Sequence, residues 1–259
     1  MVSDEIAHKM LIKLGYVVEK IPESEKEEAD FLVKYQGSTA LLEAKLKKDD
    51  PSIVKKREAS LSAGKVSVVE AKLGINSNLS KIIDKANSQL LSSSDKPHDF
   101  KIVSFIASGI NEKTKTDQFK DTIYGSTLVS NGNNTKTCYF FRDSAFYKRN
   151  NIDAAIVGYV FNNEIILELC LNPYSLNYNS LKESVFLEPF KGAVIDPLKL
   201  ENKGLAYIPD HNIDRKLNEF QKNIPSHNPI LIHLQEKYKT GFLINIDWDS
   251  PELAIRIKT

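Results

Sequence analysis

Two short apolar runs, Phe31-Leu32-Val33 and Thr39-Ala40-Leu41-Leu42, stand either side of Gln36-Gly37. A tight-turn dipeptide between two such runs predicts a hairpin of strands. The second run is short and does not alternate with polar residues, which suits a central strand covered on both faces. Charged residues bracket the unit: Asp30 opens the first arm, and Glu43 and Lys45 end the second.

The flanking segments have helical periodicity. Ile6, Met10, Leu11 and Leu14 mark one face of a first helix, with Ser3 as its cap, Asp4 and Glu5 at its positive end and Gly15 as its stop. Tyr16-Val17-Val18 reads as a short strand. Beyond Asp49-Asp50-Pro51 a basic helix and a strand at Val66–Val69 are expected. A clearer helix then follows, with the stripe Leu79, Ile82, Ile83, Ala86 and Leu90 and a cap at Ser77 or Asn78. Ile102–Ala107 reads as a buried strand. The polar stretch Asn111–Thr137 reads as a long loop or insertion, and Tyr139-Phe140-Phe141 as strand core. Strands at Ile152–Val160 and Glu164–Leu169 are joined at Asn162-Asn163, a good hairpin turn. Helices are expected near Asp214–Lys222 and Ile230–Tyr238. The order predicts an α/β fold in which helices cover a mixed central sheet, with an elaborated C-terminal half. Residues 1–175 would form the core, including an insertion near 111–137, and 176–259 an extension packed on it.

The chemistry concentrates at the hairpin. Folding at Gln36-Gly37 returns Asp30 to the side of Glu43. Glu43 and Lys45 are two apart on one strand and share a face. Two carboxylates and an ammonium at the end of a buried strand cost desolvation energy, and a divalent cation gives a reason for that cost. Asp30, Glu43 and the backbone carbonyl of Ala44 make a hard oxygen site suited to Mg²⁺. Such an ion lowers the pKa of bound water and stabilises charge on a phosphoryl oxygen. Lys45 would orient the attacking water or stabilise the transition state.

Asp30 followed by Glu43-Ala44-Lys45 resembles the PD-(D/E)xK signature of the restriction-endonuclease-like nucleases. The resemblance covers roughly residues 1–110 and extends with elaboration through the strands at 152–170. It implies a restriction-endonuclease-like sheet, Mg²⁺ or Mn²⁺ as cofactor, and DNA or RNA as substrate, with DNA expected here. It also implies a setting in restriction, repair, recombination or phage defence. Glu5 stands in the first helix, where many members carry an accessory acidic residue. Lys85 and Gln89 stand in the following helix, where members place polar residues near the site. One departure is visible: Ala29 precedes Asp30 where members often have proline.

A second triplet, Glu70-Ala71-Lys72, also follows an apolar run. Its distant carboxylate would be Asp49 or Asp50, with a proline and a helix between, and the hairpin is missing. The cluster Lys47, Lys48, Lys55, Lys56 and Arg57 lies downstream of the first triplet and is the expected phosphate-contacting surface, joined by Gln89. It has to be a local surface, because 35 basic residues face 34 acidic ones and the formal net charge is only +1. A nuclease fold retained without turnover, binding DNA, a partner protein or a second copy, is the competing expectation. The five histidines show no ligand or triad spacing, and no glycine-rich phosphate loop is present. Cys138 and Cys170 lack metal-ligand spacing and are expected as buried free thiols. No basic-then-apolar leader opens the chain and no apolar run reaches about 18 residues, so a cytoplasmic location without membrane contact is expected.

Overall fold

A computed structural model describes residues 3–161, 164–246 and 249–256. Helix α1 (Ser3–Lys13) ends at Gly15, whose φ of +88° reverses the chain into strand β1 (Val17–Lys20). The expected hairpin follows as β2 (Phe31–Tyr35) and β3 (Ser38–Lys47). Gln36 and Gly37 both have positive φ, 44° and 91°, and Tyr35 pairs with Ser38. This two-residue loop matches the right-handed twist of its strands.

Asp50 then caps α2 (Pro51–Ser62), accepting a hydrogen bond from the Ser52 amide at 2.8 Å. Strand β4 (Ser67–Lys72) precedes α3 (Ser77–Ser92), and β5 (Phe100–Ala107) follows it. The cap of α3 is Asn76, ahead of both expected residues, Ser77 and Asn78, because the Asn76 carboxamide oxygen reaches the amides of both Asn78 and Leu79.

The expected loop at 111–137 is largely ordered structure. It holds α4 (Glu112–Tyr124), β6 (Thr127–Ser130) and β7 (Thr135–Cys138). Polar composition hid the helix: Phe119, Ile123 and Tyr124 are its apolar anchors, and Thr116 and Thr122 are buried beside them. Tyr139-Phe140-Phe141 is buried as expected but forms a turn after β7 rather than a strand, with Phe140 at φ +58°.

The short α5 (Ala145–Lys148) leads to β8 (Ala154–Phe161) and β9 (Glu164–Leu171). These two pair antiparallel, while the Asn162-Asn163 turn lies outside the described residues. Next come α6 (Tyr178–Lys182), a 3-10 turn at Val185–Phe190, β10 (Val194–Ile195), α7 (Pro197–Asn202) and β11 (Ala206–Tyr207). The helix expected near 214–222 is confined to α8 (Glu219–Asn223). After a 3-10 turn at Pro225–His227, α9 (Pro229–Tyr238), β12 (Ile244–Ile246) and β13 (Asp249–Ala254) complete the described elements.

The fold is α/β. A mixed seven-stranded sheet runs β1-β2-β3-β5-β8-β9-β10, and a four-stranded sheet runs β11-β7-β6-β12. The first three strands are an antiparallel meander, and β3, β5 and β8 are parallel. Leu41, Val103 and Phe105 bury one face of the large sheet against Leu79, Ile83 and Ala86 of α3 and Phe119 of α4. Leu42, Ala44 and Ile102 bury the other against Ala7 and Leu11 of α1 and Phe186. A separate core joins the small sheet to α9. Central β3, covered on both faces, explains why its apolar residues do not alternate.

Candidate active site

The register of the hairpin builds the site. Pairing of β2 with β3 ends at Phe31 and Leu42, so Asp30 and Glu43 stand opposite each other one step beyond it. Here the Asp30 carboxylate replaces a strand: its Oδ2 accepts a hydrogen bond from the Ala44 amide at 2.7 Å. The N–H and C=O of one residue in an extended strand point to the same edge. The Ala44 carbonyl therefore points to the same opened edge of β3 as Asp30.

Glu43 and Lys45 project from the face that carries Leu41, toward α3. The Lys45 ammonium donates to Glu43 Oε1 and, at 2.8 Å, to Gln89 Oε1 from α3. Gln89 Nε2 in turn donates to the Glu28 carbonyl at 3.4 Å. Glu43 is only 1% exposed, and its Oε2 has no hydrogen-bond partner among the described residues. The other such oxygen is the neutral hydroxyl of Ser104, which costs less to strand than a carboxylate oxygen.

The electrostatics follow from burial. Desolvation pushes the Glu43 carboxyl up to about 7; the Lys45 ammonium opposes the rise, and the neighbouring negative charge of Asp30 adds to it. Burial also raises the Asp30 carboxyl, against the Ala44 amide that favours its charged form, with Asp4 a further raising influence.

Asp4 is the acidic residue that the sequence reading missed in favour of Glu5. Glu5 is exposed, whereas Asp4 shares a cleft of about 240 Å³ with Asp30 and Gln89 and pairs with Lys20 at 3.1 Å. The signal was present in the helical phase. Asp4, Ala7 and Leu11 fall at i, i+3 and i+7, and the last two are buried. The rim of the cleft is acidic, with Glu23, Glu25, Glu27 and Glu28 along it. Two ion pairs hold this loop to its surroundings: Glu27 with Lys85 at 2.8 Å, and Glu28 with Lys96.

The expected basic surface is not gathered at the cleft. Lys47 lies two residues beyond Lys45 on the same face and lines a small hollow with Asn76 and Lys115. Lys48, Lys55 and Lys56 are exposed and Arg57 is partly buried; α2, which carries the last three, packs against β4. The rival carboxylates are occupied: Asp49 binds Lys115 and the Ile110 amide, and Asp50 caps α2. Strand β4 pairs with β13, outside the large sheet. The side chains of Glu70-Ala71-Lys72 lie outside the described residues.

Among the described residues, no three His, Cys, Asp or Glu side chains form a ready cation cage. The oxygens that suit a hard cation are the stranded Glu43 Oε2, the Asp30 carboxylate and the Ala44 carbonyl, a mixed set in which water would complete the shell. No family model, curated protein or solved structure matches the chain. Among the described residues no helix is long and apolar enough to cross a membrane.

Proposed function

We propose that the chain is a divalent-metal-dependent nuclease with Asp30, Glu43 and Lys45 at its active site. The observation that carries this reading is the buried, unpartnered Glu43 Oε2 beside a second carboxylate. An ionised buried carboxylate with an unpartnered oxygen is costly. Without metal, a proton held up to about 7 and shared toward Asp30 offsets that cost; a cation bound between Glu43 and Asp30 offsets it with both carboxylates ionised. The order α1, meander, α3, β5 supports the reading, since the resemblance to the PD-(D/E)xK nucleases implies a helix before the signature and a helix and strand after it. The α2–β4 segment is then an excursion from a restriction-endonuclease-like core.

Asp30, Glu43 and the Ala44 carbonyl would hold Mg²⁺ or Mn²⁺. The bound ion supplies a more acidic water and stabilises charge on the phosphoryl oxygens. Lys45, held by Gln89, keeps a positive charge beside Glu43 and can donate a hydrogen bond to the attacking water or the phosphodiester. Asp4 adds negative charge on the α1 side, a role the resemblance had suggested for Glu5. DNA is the proposed substrate and the cytoplasm the proposed location.

The acidic rim favours a second reading. Glu23 and Glu25 at the mouth, with Glu27 and Glu28 partly offset by Lys85 and Lys96, leave a net negative rim that repels a polyanion, as expected of a nuclease fold kept without turnover for binding a partner protein. Cleavage of plasmid and linear DNA with Mg²⁺ or Mn²⁺ separates the two. The nuclease reading expects activity that EDTA and Glu43→Ala both abolish and Glu70→Ala leaves intact. Wild-type protein that is inert on DNA with either metal favours the second reading.

A further inference from the structure

A second cleft, of about 260 Å³, lies between α4 and the small sheet, away from Asp30 and Glu43. Its volume falls just below the ~300 Å³ at which pockets for drug-sized ligands begin, so it suits a smaller molecule. Leu128, Ile195 and Ile246 give it apolar walls.

Its polar groups are specific. The Tyr139 ring is more than nine-tenths buried, yet its hydroxyl has no hydrogen-bond partner among the described residues. A buried tyrosine normally finds a partner for its hydroxyl. This one is not sealed in the protein: Tyr139 lines the cleft, and its hydroxyl lies in electrostatic range of Cys170, Lys120, Glu168 and Asp121. The Asp121 carboxylate accepts from Ser126 Oγ at 2.6 Å and from the Gly74 amide at 3.0 Å. An ionised carboxylate can accept more than two hydrogen bonds, so Asp121, which lines the cleft, keeps acceptor capacity beyond these two.

The charges of the lining offset one another. Lys120 is held by Asp117 at 3.0 Å and by Glu168 at 2.7 Å, and Arg142 stands against Asp121. Among the described residues of the lining, a phosphate or carboxylate would meet no surplus of positive charge. What remains is an apolar slot with an acceptor at Asp121 and a hydroxyl at Tyr139 on its polar side.

We propose that this cleft binds an uncharged heterocycle of nucleobase size, with N–H groups donating to Asp121 and a ring acceptor or N–H meeting the Tyr139 hydroxyl. The apolar walls take the faces of the ring. The site stands whether or not the chain is a nuclease.

Saturation-transfer NMR on the full chain, without metal or DNA, tests the proposal with adenine, hypoxanthine, cytosine and uracil as probes and benzoate as an anionic control of similar size. Transfer to at least one base and none to benzoate is expected. Tyr139→Phe should weaken binding by about tenfold, one hydrogen bond's worth, while the melting temperature of the unliganded protein stays unchanged. Leu128→Trp, which fills the slot, should abolish binding; Thr137→Phe, at the cross-strand partner of Leu128, serves if that variant does not fold. No transfer to any base overturns the proposal, as does transfer that persists unchanged in the filled variant.

Discussion

The Asp30 carboxylate accepts the Ala44 amide at 2.7 Å, taking the position a β2 residue would hold had the strand continued. One side chain thereby ends the pairing, opens the edge of β3 and faces Glu43. Asp30→Asn keeps an acceptor for that amide and should fold with near wild-type stability. Asp30→Ala strands the amide and should cost about 1–3 kcal/mol. Urea denaturation of the two variants checks this, and equal stabilities would show that the bond contributes nothing.

Glu43 makes stability depend on pH in a stated direction. Its folded-state carboxyl is raised to about 7 from an ordinary 4.5, chiefly by burial. The folded chain then holds a proton that the unfolded chain has lost between those values. The stabilisation from this group is complete below about 4.5 and is lost as the pH rises through about 7. Metal-free wild type should lose stability relative to Glu43→Gln across that window. Denaturation midpoints of both proteins measured from pH 4.5 to 8 test it; parallel profiles would refute it.

Lys45 compensates a carboxylate that is almost wholly inaccessible, while its own side chain is 18% exposed. Removing one partner of a buried pair is more costly than never having had the pair. At pH 8 Lys45→Met should cost about 1–3 kcal/mol, less than a bare buried charge would, because Glu43, already raised to about 7, can take up a proton instead. A loss under ~0.5 kcal/mol, the usual size of a surface substitution, would place this pair among ordinary surface contacts.

The hairpin, the flanking helices and the cluster of Asp30, Glu43 and Lys45 were legible because each rests on local chemistry. Gln36-Gly37 dictates the turn, and the turn dictates which residues meet. Gln89 was legible only through the resemblance, and its contact with Lys45 at 2.8 Å required the packing of α3 on β3. Helix α4 was not legible, because Thr114, Thr116 and Thr122 are buried polar residues that composition assigns to the surface. Asp4 was overlooked in favour of Glu5 because an acidic pair at a helix start is explained by the dipole until the helical phase is followed. The cleft beside Tyr139 joins α4 to a second sheet, a long-range arrangement that no sequence window contains.

The acidic rim should set how the candidate site meets a polyanion. Glu27 and Glu28 hold Lys85 and Lys96 in ion pairs at the mouth. The double variant Glu27→Gln, Glu28→Gln frees Lys85, leaves Lys96 with only Asp95 at 3.8 Å among the described residues, and removes two carboxylate charges. DNA affinity should rise, with a steeper dependence on salt, because more phosphate contacts release more counterions. Fluorescence anisotropy over a salt series measures this, and unchanged affinity and slope would remove the rim from any role in binding.

Cys138 and Cys170 are free and buried. Burial pushes the Cys170 thiol up to about 12 and the Cys138 thiol higher still, so thiolate is scarce at neutral pH. Iodoacetamide should leave both unmodified in the native protein and label both after denaturation, as read by mass spectrometry. Rapid native labelling of either would contradict the packing around it.

Calorimetric titration of Mn²⁺ into metal-free wild type and Glu43→Gln decides whether the stranded oxygen of Glu43 is a cation ligand. Wild type should bind the ion. The variant should bind it more weakly by over about 100-fold, beyond the roughly 10–100-fold that the loss of an outer-shell partner costs. No uptake by wild type, or equal uptake by both proteins, would remove Glu43 from any role in cation binding.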